Sequence, residues 1–349
     1  MTKSLKDLAL PITEEEYRAD DALSYSTLAK FDREGFNNLG KLFDRVETSS
    51  LTFGSAVDSI LTGGDEEFNE RFIVAEYMEE VPAAISNVVR YLYKEHPEVD
   101  KLADIYDTFI IEATETLQYQ LNWRPETRAK VIKEKGSELF QFLKMADGKQ
   151  ILTQSTYTQV VAAVNALRES EATKFYFAED NPFENVERLY QLKFKGRDPK
   201  TNIPYRCMMD LCVVDHDNKI IIPCDLKTSH KPEWDFYKSF VEWRYHIQAR
   251  LYSRLLKQAI EKDPYFKDFK IDNYRFIVVN KETLTPMVWV YENTHTEGTV
   301  KYGPNQEYEQ HDPYAIGEEL TYYLDSQPKT PVGIEPNDIN SIDYWLNKK

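Results

Sequence analysis

The chain is poor in cysteine, in long apolar runs and in positive charge, and each shortage excludes something. Its 349 residues include three cysteines, Cys207, Cys212 and Cys224. They are few, odd in number and set in strand-like apolar surroundings, which reads as free thiols rather than a disulfide framework. No apolar run approaches the length of a membrane span. The opening "MTKSLKDLALPITEEEY" has no signal-peptide h-region. A cytoplasmic protein without membrane attachment is therefore expected. Lys and Arg number 43 against 59 Asp and Glu, a net charge of −16. Taken over the whole chain, that balance argues against a nucleic-acid partner, because phosphate binding requires positive charge. Internal repeats and low-complexity tracts are also lacking.

What is present is a soluble, globular composition, with 42% hydrophobic and 29% charged residues. The length allows one large domain or two ordinary ones. The charge is uneven. Val186 to Lys257 holds fourteen Lys and Arg against nine Asp and Glu, which leaves this window at +5 and the remainder at −21. A locally basic stretch in an acidic protein can still steer an anion.

Residues 1–180 read mainly as helix. "TYTQVVAAVNALRES" (156–170) repeats Val160, Val161, Val164 and Leu167 on one face, and "DIYDTFIIEATETLQYQL" (104–121) is a second example. Residues 72–87 and 122–136 look irregular, and "AEDNPFEN" (178–185) reads as turns. Residues 181–293 then read β-β-β-α-β-β: strands at 186–196, 205–214 and 219–226, a long aromatic helix at 233–260, and strands at 273–280 and 286–293. That order predicts an α/β (α+β) protein whose mixed central sheet is flanked by helices. Residues 294–349 form a polar C-terminal extension ending in a short piece around Tyr344–Leu346. The three parts are expected to make one compact domain.

Within "IIIPCDLKTS" (220–229) an oily strand ends in Asp225-x-Lys227. The spacing alone means little, since Asp147–Lys149, Asp198–Lys200, Asp217–Lys219 and Asp268–Lys270 share it. The neighbours of this copy distinguish it. "DHDN" (215–218) is a turn signal. A hairpin centred there sets residue 214 opposite 221, 212 opposite 223, and Asp210 opposite Asp225, with Lys227 on the same face. Opposed carboxylates need compensation. Lys227 supplies one charge, and a divalent cation such as Mg²⁺ is the natural supplier of the rest; a plain Asp–Lys ion pair is the alternative. On the following helix Gln248 and Tyr252 lie four apart and share a face, with Tyr245 near it.

A carboxylate on one strand (Asp210), D-x-K on the next (Asp225-Leu226-Lys227) and Q-x-x-x-Y on the helix (Gln248, Tyr252) resemble the pattern of PD-(D/E)XK nucleases. More narrowly, they resemble RecE-like and RecB-like exonucleases, including phage-encoded ones of the exodeoxyribonuclease VIII kind. "LSYSTLAKF" (23–31) is similar to the Ser-x-Ser opening of the phage enzymes. "LTFGSAVDSILTG" (51–63) is similar to their G-x-x-x-H helix, with Gly54 at the glycine and Asp58 where the family has histidine. Asp at that place offers a harder oxygen ligand, which favours Mg²⁺ over softer metals; alternatively, the second metal position is altered or absent.

The resemblance covers about residues 20 to 260. It implies a restriction-endonuclease-like core at 181–293 and metal-dependent hydrolysis of DNA. Mg²⁺ or Mn²⁺, as one or two ions, would be held by Asp210, Asp225 and the Leu226 carbonyl, with Asp58 joining at a second position and Glu187 as a further acidic candidate. Lys227, Gln248 and Tyr252 complete the catalytic set. Lys193, Lys195, Arg197, Lys200, Arg244 and Arg250 are candidates to track the DNA backbone. Some relatives carry an iron–sulfur cluster on four cysteines; with three here, none is expected. A 5′→3′ exonuclease on linear duplex DNA, a ring-shaped homo-oligomer and a single-strand annealing partner are implied by the family alone. A single-strand or structure-specific nuclease, a restriction-type endonuclease and an inactive DNA-binding relative remain as alternatives.

Overall fold

The structure, a computed structural model, describes residues 2–35, 39–40, 42–43, 49–75, 81–146, 148–177, 185–292, 298–303 and 306–326. Residues 178–184 of the turn expected at 178–185, and the piece around Tyr344–Leu346, lie outside these residues. In chain order the elements are α1 (Glu14–Ala19), α2 (Tyr25–Glu34), α3 (Ser49–Arg71), β1 (Phe72–Ala75), α4 (Ala83–Glu95), α5 (Asp107–Thr116), α6 (Pro125–Ala146), β2 (Gln150–Thr153), α7 (Gln154–Glu169) and α8 (Lys174–Phe177). They continue with β3 (Val186–Arg197), β4 (Pro204–Asp215), β5 (Ile220–Ser229), α9 (Phe236–Glu242), α10 (Tyr245–Ile260), β6 (Lys270–Ile271), β7 (Tyr274–Asn280), β8 (Pro286–Tyr291), β9 (Gly298–Gly303), β10 (Gln306–Gln310) and α11 (Pro313–Ser326). The protein is mixed α/β, with a mixed central sheet flanked by helices. Among the described residues no helix is long and apolar enough to cross a membrane.

The chain divides into two units, Thr48–Asn165 and a second made of Met1–Glu47 with Ala166–Lys349. In the first, α4, α5 and α6 bury Val88, Val89, Leu92, Ile110, Ile132 and Phe140 against one another. Each such side chain contributes about 1.5–3 kcal/mol on leaving water. β1 and β2 pair in parallel beside them. The two stretches read as irregular are partly regular. Residues 72–75 form β1, and α6 begins at Pro125. Proline is favoured at the first position of a helix, where its missing N–H has no partner to lose.

In the other unit the sheet order is β3-β4-β5-β7-β8, with β6 pairing β5. β5 is central. It runs antiparallel to β4 and parallel to β7, and α9 and α10 make the crossover between the parallel pair. Ile221, Ile222, Pro223 and Cys224 of β5 are buried. A proline in a central strand removes a ladder donor. Here the ladder with β6 ends at Ile221 and that with β7 begins at Cys224, so Pro223 falls in the gap between them. The first 47 residues belong with this sheet, not with the helical part that follows them. Leu5, Leu23, Leu28 and Phe31 enter the same core as Phe194, Leu251 and Phe276. An apolar stripe on a helix announces that it will be covered, not by what.

Candidate active site

The hairpin register agrees with the sequence reading: Val214 faces Ile221, and Cys212 faces Pro223. The ladder stops at Leu211–Cys224, one position short of Asp210 and Asp225. Where the strands part, a side chain replaces the backbone. Asp210 Oδ2 accepts the Leu226 N–H at 2.9 Å. In an extended strand the N–H and C=O of one residue point to the same edge. The Leu226 carbonyl therefore lies on the edge that carries Asp210.

Asp225 is 2% exposed. One of its oxygens accepts from Gln248 Nε2, and the other is ion-paired with Lys227. The Lys227 ammonium also stands 4.9 Å from the centre of the Tyr245 ring. Burial alone would lower the lysine's pKa. The Asp225 carboxylate, with help from Tyr245 and Asp210, outweighs burial and holds it above the ordinary lysine range. In this pairing Lys227 is held as the ammonium. Burial pushes the Tyr245 phenol up to about 12, against the opposing effect of Lys227. Tyr252 meets Tyr25 edge-on at 6.5 Å and Tyr274 at 6.3 Å. Burial raises the phenols of Tyr252 and Tyr274 well above their usual value, and Asp225 and Asp210 add to both shifts. Both phenols therefore remain neutral.

The structure thus brings together Asp210, Asp225, Leu226, Lys227, Gln248 and Tyr252. Sequence reasoning missed Tyr274 and Gln191. Among the described residues Tyr274 Oη and Gln248 Oε1 are buried without a hydrogen-bond partner, a condition that calls for an explanation such as water or an ion. Gln191 on β3 adopts a left-handed backbone, φ 53°. It falls between the Tyr190–Leu211 and Leu192–Met209 pairs, level with Asp210. Left-handed non-glycine backbone is strained and tends to gather at functional sites. Neither residue carries a sequence signal; glycine or asparagine would have marked the second.

Other expected residues have different employment. Glu187 faces Val214, four residues from Gln191 along β3 and so roughly 13 Å from the level of Asp210. It pairs with His216 at 3.1 Å, and His216 in turn meets Tyr265 Oη at 3.0 Å. Arg250, read as a DNA contact, is 7% exposed and donates to Tyr291 Oη and Gln310 Oε1. Arg244 pairs with Asp32 at 2.6 Å, Lys195 with Asp20 at 2.6 Å, and Lys200 lies 3.8 Å from Glu318. Arg197 donates to the Asn202 carbonyl at 2.8 Å, and Lys193 is half-buried on β3. Asp58 belongs to α3 in the other unit. It is partly buried, and Thr62 donates to its backbone carbonyl.

Among the described residues no three His, Cys, Asp or Glu side chains gather as a metal cluster. The donor set is two carboxylates and one backbone carbonyl. All are hard oxygens, and the set suits an ion that takes one or two carboxylates and keeps much of its water, as Mg²⁺ does. Compared with models of known protein families and with curated proteins, the chain matches none.

Proposed function

We propose that the protein is a metal-dependent deoxyribonuclease of PD-(D/E)XK type, acting as an exonuclease on linear duplex DNA. The observation that carries the reading is the parting of β4 and β5, where Asp210 holds the Leu226 N–H and Asp225 is held between Lys227 and Gln248. A structural ion pair alone needs neither the second carboxylate nor the glutamine.

Asp210, Asp225 and the Leu226 carbonyl would hold a divalent cation, Mg²⁺ or Mn²⁺. Such an ion supplies a more acidic water and neutralises phosphoryl oxygens. Gln248 fixes the rotamer of Asp225, so the carboxylate is set before substrate arrives. Lys227 stays protonated and donates to the phosphoryl oxygen on which negative charge grows. The Tyr245 ring keeps the ammonium in place by a cation–π contact.

The test is incubation with linear, closed-circular and 5′-labelled duplex DNA in Mg²⁺, Mn²⁺ or EDTA, alongside Asp225→Ala and Lys227→Ala. Linear DNA should disappear only with metal, and both variants should fall about 10²-fold or more. No metal-dependent loss of linear DNA sinks the proposal. Cutting of closed circles replaces exonuclease by endonuclease.

A further inference from the structure

The connection between β5 and α10 ends in a tryptophan that the fold holds out to solvent. Trp243 is 44% exposed, yet its backbone is fixed on both sides. Its N–H donates to the Ser239 carbonyl at 2.9 Å, and its carbonyl accepts from Tyr25 Oη at 2.6 Å. The next residue, Arg244, is left-handed at φ 58°, ψ 41°. Its guanidinium is tied to Asp32 and to the Val241 carbonyl at 2.7 Å. A strained, non-glycine corner of this kind persists only where its surroundings hold it. The neighbour of Asp32 completes the arrangement. Arg33 lies over the Trp243 ring, 5.0 Å from its centre. Two residues beyond Trp243, Tyr245 carries the Lys227 ammonium. The exposed ring and the Asp225–Lys227 pair are thus joined by a single rigid turn.

A large ring kept in water on a fixed backbone, with a guanidinium behind it, has the form of a stacking surface. Bases of unpaired strands stack on such aromatics without regard to sequence, since every base has a π face. Charge gives an independent reason to need it. The chain carries −16, and Lys195, Arg244 and Arg250 are engaged within the protein. These three cations have less to offer phosphate than their count suggests, and a stacking contact would add affinity that does not depend on charge.

We infer that Trp243, backed by Arg33 and two residues along the chain from the Tyr245 ring that carries Lys227, is a stacking platform for a nucleobase of an unpaired DNA strand. The inference rests on the nuclease reading and names the form of substrate the site engages: a single-stranded or frayed end.

Binding is measured in EDTA, where no hydrolysis occurs, with oligothymidylate and with an oligomer of equal length made of abasic nucleotides. Wild type should prefer the oligomer with bases. Trp243→Ala should weaken oligothymidylate binding about 5- to 150-fold, the worth of one base–aromatic stack, and leave abasic binding unchanged. Trp243→Phe should restore much of the preference, which a merely structural role for the ring would not predict. Equal binding of oligothymidylate by wild type and Trp243→Ala overturns the inference. So does a wild type that does not distinguish bases from abasic backbone. If either result comes from a protein that still degrades linear DNA with Mg²⁺, the inference fails and the nuclease reading stands. A wild type that neither binds nor degrades DNA removes both.

Discussion

The carboxylate of Asp210 accepts the backbone N–H of Leu226 at 2.9 Å, across the point where β4 and β5 stop pairing. One side chain therefore continues the sheet's hydrogen bonding by one step and, at the same time, brings a negative charge up to Asp225. The two roles separate on substitution. Asp210→Ala leaves the Leu226 N–H without its acceptor, and should cost about 1–3 kcal/mol in urea denaturation. Asp210→Asn keeps an acceptor oxygen and removes the repulsion between carboxylates, so it should be near neutral or stabilising. Both should lose metal-dependent DNA cleavage. If Asn destabilises as much as Ala, the oxygen is not what Leu226 requires.

Asp225 and Lys227 form a buried pair, and only the pair is tolerated. Lys227→Met strands a buried carboxylate and should cost about 3–5 kcal/mol. Asp225→Asn in the same chain removes the stranded charge, so the double variant should recover much of that loss. The measurement is a double-mutant cycle on unfolding free energy. Additive losses would mean that Lys227 does not compensate Asp225, and with that its proposed role as a charge-holding donor fails too.

The two sides of this site differ in how far they could be read from sequence. The hairpin was legible because "DHDN" is a strong turn signal and period-two alternation fixes the register. Gln248 was legible as a candidate because a glutamine one helical turn from a tyrosine is out of place in an oily seam, but its contact with Asp225 was not. The parting of the strands was not, because ladders end through twist and competing partners, and the letters at 210 and 225 are the same whether paired or free. Gln191 was hidden for a related reason: nothing in its side chain favours a left-handed backbone, so tertiary contacts impose it. Glu187 and Arg250 were misplaced because charge suggests surface or site. In the fold, Glu187 is taken up by His216, and Arg250 by Tyr291 and Gln310.

Arg250 therefore makes a prediction of its own. It is buried on α10 and donates to Tyr291 Oη at 2.8 Å. Arg250→Ala leaves those acceptors unmet and opens space, so it should lower stability by about 2–4 kcal/mol. It should not change how DNA affinity depends on salt, whereas loss of a true phosphate contact reduces that slope by about one. Affinity measured between 50 and 200 mM salt, about the range over which such slopes are resolved, decides the matter. A slope reduced by about one would return Arg250 to the DNA interface.

His246 links the start of α10 to acid stability. The ring is fully buried and meets Tyr308 Oη through Nδ1, while Nε2 has no hydrogen-bond partner among the described residues. Burial, and then Arg250, push its pKa down to about 3, with Arg244 acting in the same sense and Asp32 against it. An unfolded histidine titrates near 6.5. Between these values the unfolded chain takes a proton that the native state refuses. The stability due to a neutral His246 is thus complete above the unfolded value and is lost as pH falls through the window from about 6.5 to 3, at up to about 1.4 kcal/mol per pH unit. His311 opposes this in part, since its pKa is raised by the Asp32 carboxylate 2.5 Å away. That raised value adds stability below the unfolded pKa, which disappears as pH rises through the folded one. Replacing His246 by Gln removes only the first effect. Urea unfolding of His246→Gln between pH 7 and 4 should show a shallower loss on acidification than wild type, even where the variant is less stable at pH 7. Parallel curves for the two proteins would mean that the imidazole is protonated in the native state and that its burial does not set the acid limit.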